Sequence, residues 1–151
     1  MFDDVDVKLL ELLQTDGRLS LSELGRRVNL SAAAVTERVK RLEAEGTITG
    51  YTATVSAARL GYRMAAFVRI SPHAGIDFKH PKVRAVLSGP EIREAHHVIG
   101  DDCWILKVAV ADVEHLERLL EQLSGLGRTT TSIVMSTPIR AGVLTPLDHA
   151  R

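Results

Sequence analysis

Only Asn29 and Leu30 separate two segments that each open with a helix cap and a hydrophobic staple. So short a link constrains the fold of this chain more than any other feature. In residues 20–28, Ser20-Leu21-Ser22-Glu23 reads as a capping box: the Ser20 hydroxyl and the Glu23 carboxylate would satisfy backbone N–H groups reciprocally. Leu19 and Leu24 take the staple positions. In residues 31–45, Ser31 is the cap, Leu30 and Val35 are the staple, and Val35, Val39 and Leu42 form the buried stripe before Gly46 ends the helix. Asn29 tolerates the left-handed backbone that the turn needs. Two helices joined this tightly read as a helix-turn-helix, and Gly25, small on the earlier helix, lets the later one cross closely.

A further helix precedes this pair. Val5, Leu9, Leu12 and Leu13 recur at helical spacing over residues 4–16, with Asp4 as the expected cap and Gly17 at the end. After Gly46, residues 47–55 are β-prone around Gly50, consistent with a short wing or a connecting strand.

The pattern changes near Tyr51, beyond which strands and helices alternate. Strands are expected over residues 63–70, 92–99, 103–110 and 129–135. Helices are expected from Pro81, at a first helical position, to Leu87, and over residues 113–123, where Leu116, Leu119, Leu120 and Leu123 share a face. Gly100-Asp101-Asp102 is the hairpin signal between the middle strands. The order βαββαβ is the split, ferredoxin-like arrangement. The whole chain is therefore expected to be α+β, with a winged helix-turn-helix over residues 1–62 and a ferredoxin-like domain over residues 63–151. Helices would cover one face of the sheet. Several strands are apolar on both faces, so the other face is expected to pack on a second copy.

Composition narrows the function. The chain has 19 basic and 19 acidic residues, so its net charge alone suggests no partner. The distribution is more informative: residues 18–41 hold six basic residues against Glu23 and Glu37, a local +4. The longest apolar runs are far too short for a membrane span. The beginning, MFDDVDVK, is acidic and lacks an apolar signal region, and a cytoplasmic protein is expected. The single cysteine, Cys103, can form neither an internal disulfide nor a cysteine-based zinc site. His96 and His97 are adjacent on a strand and so face opposite ways, and His73, His80, His115 and His149 have no ligand spacing; no metal is expected. No nucleophile–base set and no phosphate-binding glycine pattern is present. Neither catalytic residues nor a cofactor is expected.

The stretches DVDVKLLELLQTDGRLSLSELGRRV, LSAAAVTERVKRLEAEGTITGY, HVIGDDCWILKVAV and GRTTTSIVMSTPI occur in the order and at the spacing of one family. From Asp3 to Ile139 the chain resembles the Lrp/AsnC ("feast/famine") transcription regulators. That resemblance implies a winged helix-turn-helix joined to a ligand-binding ferredoxin-like (RAM) domain. It implies binding to double-stranded DNA, an amino-acid effector, and homodimers that assemble to an octamer. The tail AGVLTPLDHAR carries no part of it.

The helix from Ser31 would then enter the DNA major groove. With Val35, Val39 and Leu42 facing the core, Ser31, Ala32, Ala33 and Thr36 lie where base edges and the nearest phosphates are met, and Arg38, Lys40 and Arg41 suit phosphates. The first helical turn carries no carboxylate, which leaves its N-terminus favourable to an anion. Arg38 lies only about 60° from the core stripe at about 100° per residue and is equally placed to brace Glu11 or Glu45.

The resemblance further implies an effector near the hairpin, between dimers. Asp101 or Asp102 could take an ammonium group, and Gly100 with Thr129, Thr131 and Ser132 a carboxylate. An ordinary acidic hairpin beside a β-forming strand would look the same. Two other functions stay open at this level. Siroheme decarboxylases share the two-domain plan and use histidines, which would fall on His96 and His97, although the basic helix argues against them. An architectural DNA-binding protein would show no effector response.

Overall fold

The computed structural model describes residues 2–76, 79–100 and 102–147. The chain forms two compact units. One runs to Thr54 and takes in the chain again from Ile139; the other is Val55–Pro138. The sequence suggests one boundary near residues 60–63, whereas the chain crosses between units twice.

The first unit holds three helices, α1 (Asp4–Thr15), α2 (Leu21–Val28) and α3 (Ala32–Ala44). Leu9, Leu24, Val35 and Val39 form its centre, with Val5, Leu12, Leu13, Leu19 and Leu30 around them. The cap of α1 is Asp3 rather than the expected Asp4: Asp3 accepts from the Asp6 N–H, and Asp6 answers to the Asp3 N–H. Only half of the expected box forms on α2. Ser20 accepts from the Glu23 N–H at 3.2 Å, but the Glu23 carboxylate turns to Arg26 and Arg27, one turn further along the helix. Two guanidinium groups at i+3 and i+4 outcompete one neutral N–H.

The turn between α2 and α3 forms as the residues suggest. Asn29 is left-handed at φ 57°. A Cβ on Gly25 would lie 2.5 Å from the Leu30 carbonyl oxygen, so only glycine fits there. Among the described residues, no strand forms over 47–55. The segment folds back on its own unit: Ile48 packs into the core, its N–H and that of Thr47 donate to Leu42 O, and the Tyr51 hydroxyl donates to Glu43 at 2.9 Å. A lone extended segment has no ladder to join within one chain.

The second unit is a four-stranded antiparallel sheet, β1 (Met64–Pro72), β2 (Ile92–His97), β3 (Trp104–Val110) and β4 (Gly127–Ile133), ordered β2-β3-β1-β4. Helices α4 (Pro81–Leu87) and α5 (Val113–Ser124) complete the βαββαβ order. Ala66, Val68 and Ile70 of β1 and Leu106, Val108 and Val110 of β3 meet Val83 of α4 and Leu116, Leu119 and Leu123 of α5 in one core. β4 starts two residues earlier than expected, because it approaches β1 closely at Gly127, where a Cβ would lie 2.2 Å from Ser71 O. β2 is shorter than expected and carries a bulge between Ile92 and Glu94. The face away from the helices mixes Phe67 and Ile105 with Arg69, Lys107, Glu94 and His96, as the register requires.

Candidate functional site

Helix α3 presents its beginning to solvent. Ser31, Ala32 and Ala33 are exposed, and Ser31 caps the helix by accepting from the Ala34 N–H at 3.2 Å. The first turn holds no acidic side chain. Thr36 is half-buried and its hydroxyl donates to Ala32 O at 2.7 Å. Its oxygen lone pairs therefore remain to accept from a base, while its proton is committed to the helix. Of the three cationic residues of α3, Lys40 is the most exposed, at 66%, and lies 3.7 Å from Glu37.

Arg38 and Arg41 are held differently. Arg38 Nη1 donates to Asp6 Oδ1 at 2.8 Å and to Asp3 Oδ2 at 2.6 Å. Arg41 Nη2 donates to Asp6 Oδ2 at 2.5 Å, with Glu45 only 4.0 Å from its Nε. The suspected brace on Arg38 exists, but its partners are Asp3 and Asp6 of the first helix, not Glu11 or Glu45. Asp6 is buried, the one charged side chain so placed among the described residues. The Asp6 N–H first, and then the Arg38 guanidinium, hold the Asp3 carboxyl below the usual carboxylate range. In turn Asp3, then Asp6, hold the Arg38 proton more firmly than usual. Asp6 is not legible in the sequence as a partner of Arg38, because it lies 32 residues away.

The hairpin side is organised by β1. Asp102 Oδ1 accepts from the Ser71 hydroxyl at 2.9 Å, and Arg69 Nε lies 3.7 Å from Asp102 Oδ2. The loop is closed by Val98 N–H to Cys103 O and by Cys103 N–H to Ile70 O. Gly100 is exposed with φ 151°; Asp101 lies outside the described residues. The expected strand partners divide between faces. Thr129 and Thr131 pair with Ile70 and Val68 and share their helix-covered face, whereas Ser132 pairs with Phe67 on the open face. On that open face it is Thr130, opposite Arg69, that neighbours the Asp102 cluster. Arg69 and Ser71 were not legible as site residues, since a strand shows which residues alternate but not which loop returns beside them.

The two histidines of β2 pair with different neighbours, His96 with Ile105 and His97 with Trp104, and so stand on opposite faces. His96 instead meets Glu94 at 3.2 Å, beside Lys107. No helix among the described residues is long and apolar enough to cross a membrane.

This geometry has close relatives. Residues 2–43 match the AsnC-type helix-turn-helix domain, and residues 65–144 the Lrp/AsnC ligand binding domain. The chain is 37% identical over 139 residues to the HTH-type transcriptional regulator LrpA of Mycobacterium tuberculosis, covering 89% of this chain and 91% of that protein. It is 39% identical over 138 residues to the leucine-responsive regulatory protein of Escherichia coli K12, covering 88% and 84%. Among solved structures, Bacillus subtilis LrpC superposes with a TM-score of 0.84 at 29% identity, over 93% of this chain and 99% of that one. A transcriptional regulator of Neisseria meningitidis, solved as a complex with L-Met, superposes with a TM-score of 0.87 at 27% identity, over 99% of both chains. The chain belongs to the Lrp/AsnC family of DNA-binding, effector-responsive transcriptional regulators.

Proposed function

We propose that this chain regulates transcription in the cytoplasm by binding duplex DNA through α3, and that a free amino acid modulates it; no catalysis is assigned to it. The observation that carries the DNA reading is the beginning of α3: exposed Ser31, Ala32 and Ala33, with no carboxylate in the first turn, on a helix whose opposite face is sealed into the core. Ala32, Ala33 and Thr36 meet base edges, where methyl groups suit thymine and the Thr36 oxygen accepts. Arg38, Lys40 and Arg41 meet phosphates, so affinity rests on the backbone and on DNA shape more than on direct readout.

For the effector, the amino-acid reading is supported by Asp102, which offers an ammonium partner beside Gly100, with Arg69 and Ser71 next to it; Asp101, the other expected partner, lies outside the described residues. Of the residues expected at the carboxylate end, Ser132 shares the open face with the Asp102 cluster, where Thr130 stands nearer to it, whereas Thr129 and Thr131 belong to the helix-covered face. The regulators with leucine-responsive and L-Met-complex descriptions favour the same ligand class. The unit that acts is a homodimer, assembling to an octamer. The open sheet face, where Phe67 is exposed and Ile105 shares its side, supports the dimer. Operators should then carry half-sites spaced by about 34 Å or multiples of it.

The test is a mobility-shift titration of the full chain against genomic duplexes at low salt, followed by a thermal-shift screen of the common amino acids. Retarded duplexes and one or a few ligands that raise the melting temperature are expected. Failure to retard any duplex removes the regulator reading. Retardation with no amino-acid response leaves an architectural DNA-binding protein.

A further inference from the structure

Asp6 is a buried carboxylate whose two oxygens each hold a different arginine of the recognition helix. A buried charge is costly unless it is paired, and here the pairing spans two helices. Arg38 and Arg41 are one turn apart on α3, so a single carboxylate between them fixes their spacing. Each guanidinium has five N–H donors. Arg38 spends Nη1 and Arg41 spends Nη2 on Asp6, while their side chains remain 29% and 47% exposed. Asp3 is different. It is 53% exposed, and it shares the Arg38 Nη1 already engaged by Asp6.

Resting on the DNA-binding reading above, we infer that Asp6 is a positioning residue for DNA recognition: it holds Arg38 and Arg41 side by side as one prearranged phosphate clamp, whereas exposed Asp3 opposes the incoming phosphate. The two aspartates thus act with opposite sign on the same arginines. Two aspartates and two arginines make a cluster of zero net charge, so charge bookkeeping alone predicts that neutralising either aspartate tightens DNA binding. Positioning predicts otherwise. Without Asp6 the two arginines lose their common anchor, and ordering two long side chains on DNA then costs rotamer entropy that the native protein has already lost on folding. Without the Asp3 charge, the clamp stays anchored and a repulsive neighbour is gone.

The experiment measures duplex affinity against salt for the full chain and for Asp6→Asn and Asp3→Asn, both nearly isosteric; Asn also keeps the cap of α1. Asp6→Asn should weaken binding roughly tenfold, the scale of a lost charge-assisted contact. Its salt dependence should become shallower by about one to two phosphate contacts, ~0.9 in slope for each. Asp3→Asn should bind at least as tightly as wild type, with a slope no shallower. Equal or tighter binding by folded Asp6→Asn, with a steeper slope, would overturn the inference while leaving the DNA reading intact. A wild type that retards no duplex would instead be a failure of that reading. If Asp6→Asn does not fold, as judged by its melting curve, Arg38→Lys and Arg41→Lys decide the matter. Both keep the charge and lose the planar fork. Severalfold weaker binding by both at wild-type melting temperature is the expected result, and wild-type affinity in both would overturn the clamp.

Discussion

Gln14 holds Leu144 by both of its backbone polar groups: the Leu144 N–H donates to Gln14 Oε1 at 2.9 Å, and Gln14 Nε2 donates to Leu144 O at 2.8 Å. A side-chain amide here does the work of a neighbouring strand and fastens the returning tail to α1. Leu144 and Pro146 then close over a groove of about 430 Å³ whose other walls include Leu10, Leu13, Ile48 and Tyr51. Both bonds are exposed, so replacing Gln14 with Ala should cost only about 0.5–1.5 kcal/mol. The local effect should be larger than the global one, because tails open independently of cores. Hydrogen exchange at the Leu144 amide is expected to accelerate; unchanged protection there would mean the clip holds nothing.

Gly25 and Gly46 separate two reasons for needing glycine. At Gly25 the added methyl would meet backbone, 2.5 Å from Leu30 O, and that oxygen cannot retreat without moving the start of α3. Gly25→Ala should therefore destabilise the helix-turn-helix by roughly 2–3 kcal/mol, even though alanine gains about 1 kcal/mol in helix propensity. DNA affinity should fall with it. Gly46 has φ +72° and open space around it, so Ala there meets only backbone strain, about 1 kcal/mol. Chemical denaturation of both variants should rank them in that order.

Lys40 and Thr36 should behave as two kinds of DNA contact. Lys40→Ala is expected to weaken binding to all duplexes alike and to reduce the salt slope by about 0.9, the signature of one phosphate. Thr36→Val keeps the shape but removes an oxygen acceptor at the exposed end of α3, so it should change the ranking of operator sequences. Binding-site selection on the two variants distinguishes them; an unchanged ranking for Thr36→Val would place that residue outside the base contacts.

The Asp102 cluster gives a ligand prediction. Asp102→Ala leaves α3 untouched, so apo DNA binding should remain within about twofold of wild type, while the amino-acid response disappears because its ammonium partner is gone. Calorimetry with the amino acid found in the thermal-shift screen should show heat with wild type and none with the variant. Equal affinity in both would move the effector elsewhere.

Acid should act on the second unit through Glu91. His115 Nδ1 accepts from the Ala111 N–H at 3.3 Å, which assigns the ring proton to Nε2, 3.0 Å from Glu91 Oε1. That hydrogen bond first, and then a backbone one, hold the Glu91 carboxyl below the usual range. A carboxyl lowered on folding contributes stability that is complete above its unfolded value, about 4.3. The contribution is lost as pH falls through the lower folded value. Glu91→Gln should accordingly be less stable than wild type near pH 6, and the difference should shrink below about pH 4. Thermal melts across this range check the sign; a gap that widened in acid would contradict it.

Helix α4 appears at Pro81–Leu87, as the position of Pro81 requires, and the cap on α3 is the expected Ser31. These features rest on residues within one turn of each other, and local hydrogen bonding leaves few alternatives. The same holds for Asn29, which tolerates the left-handed turn, and for Gly25, which lacks the Cβ that would meet Leu30 O five residues on. By contrast, the β-prone segment 47–55 forms no strand, because a strand exists only with a ladder partner, and its sequence does not specify one. The cap of α1 fell one residue away from the expected Asp4, since Asp3 also answers to Arg38. Three pairings connect residues 32, 31 and 130 positions apart: Asp6 with Arg38, Asp102 with Ser71, and Gln14 with Leu144. Periodicity and capping fix which face of an element is buried. Only the packed structure decides which charged or polar group from elsewhere in the chain arrives at that face.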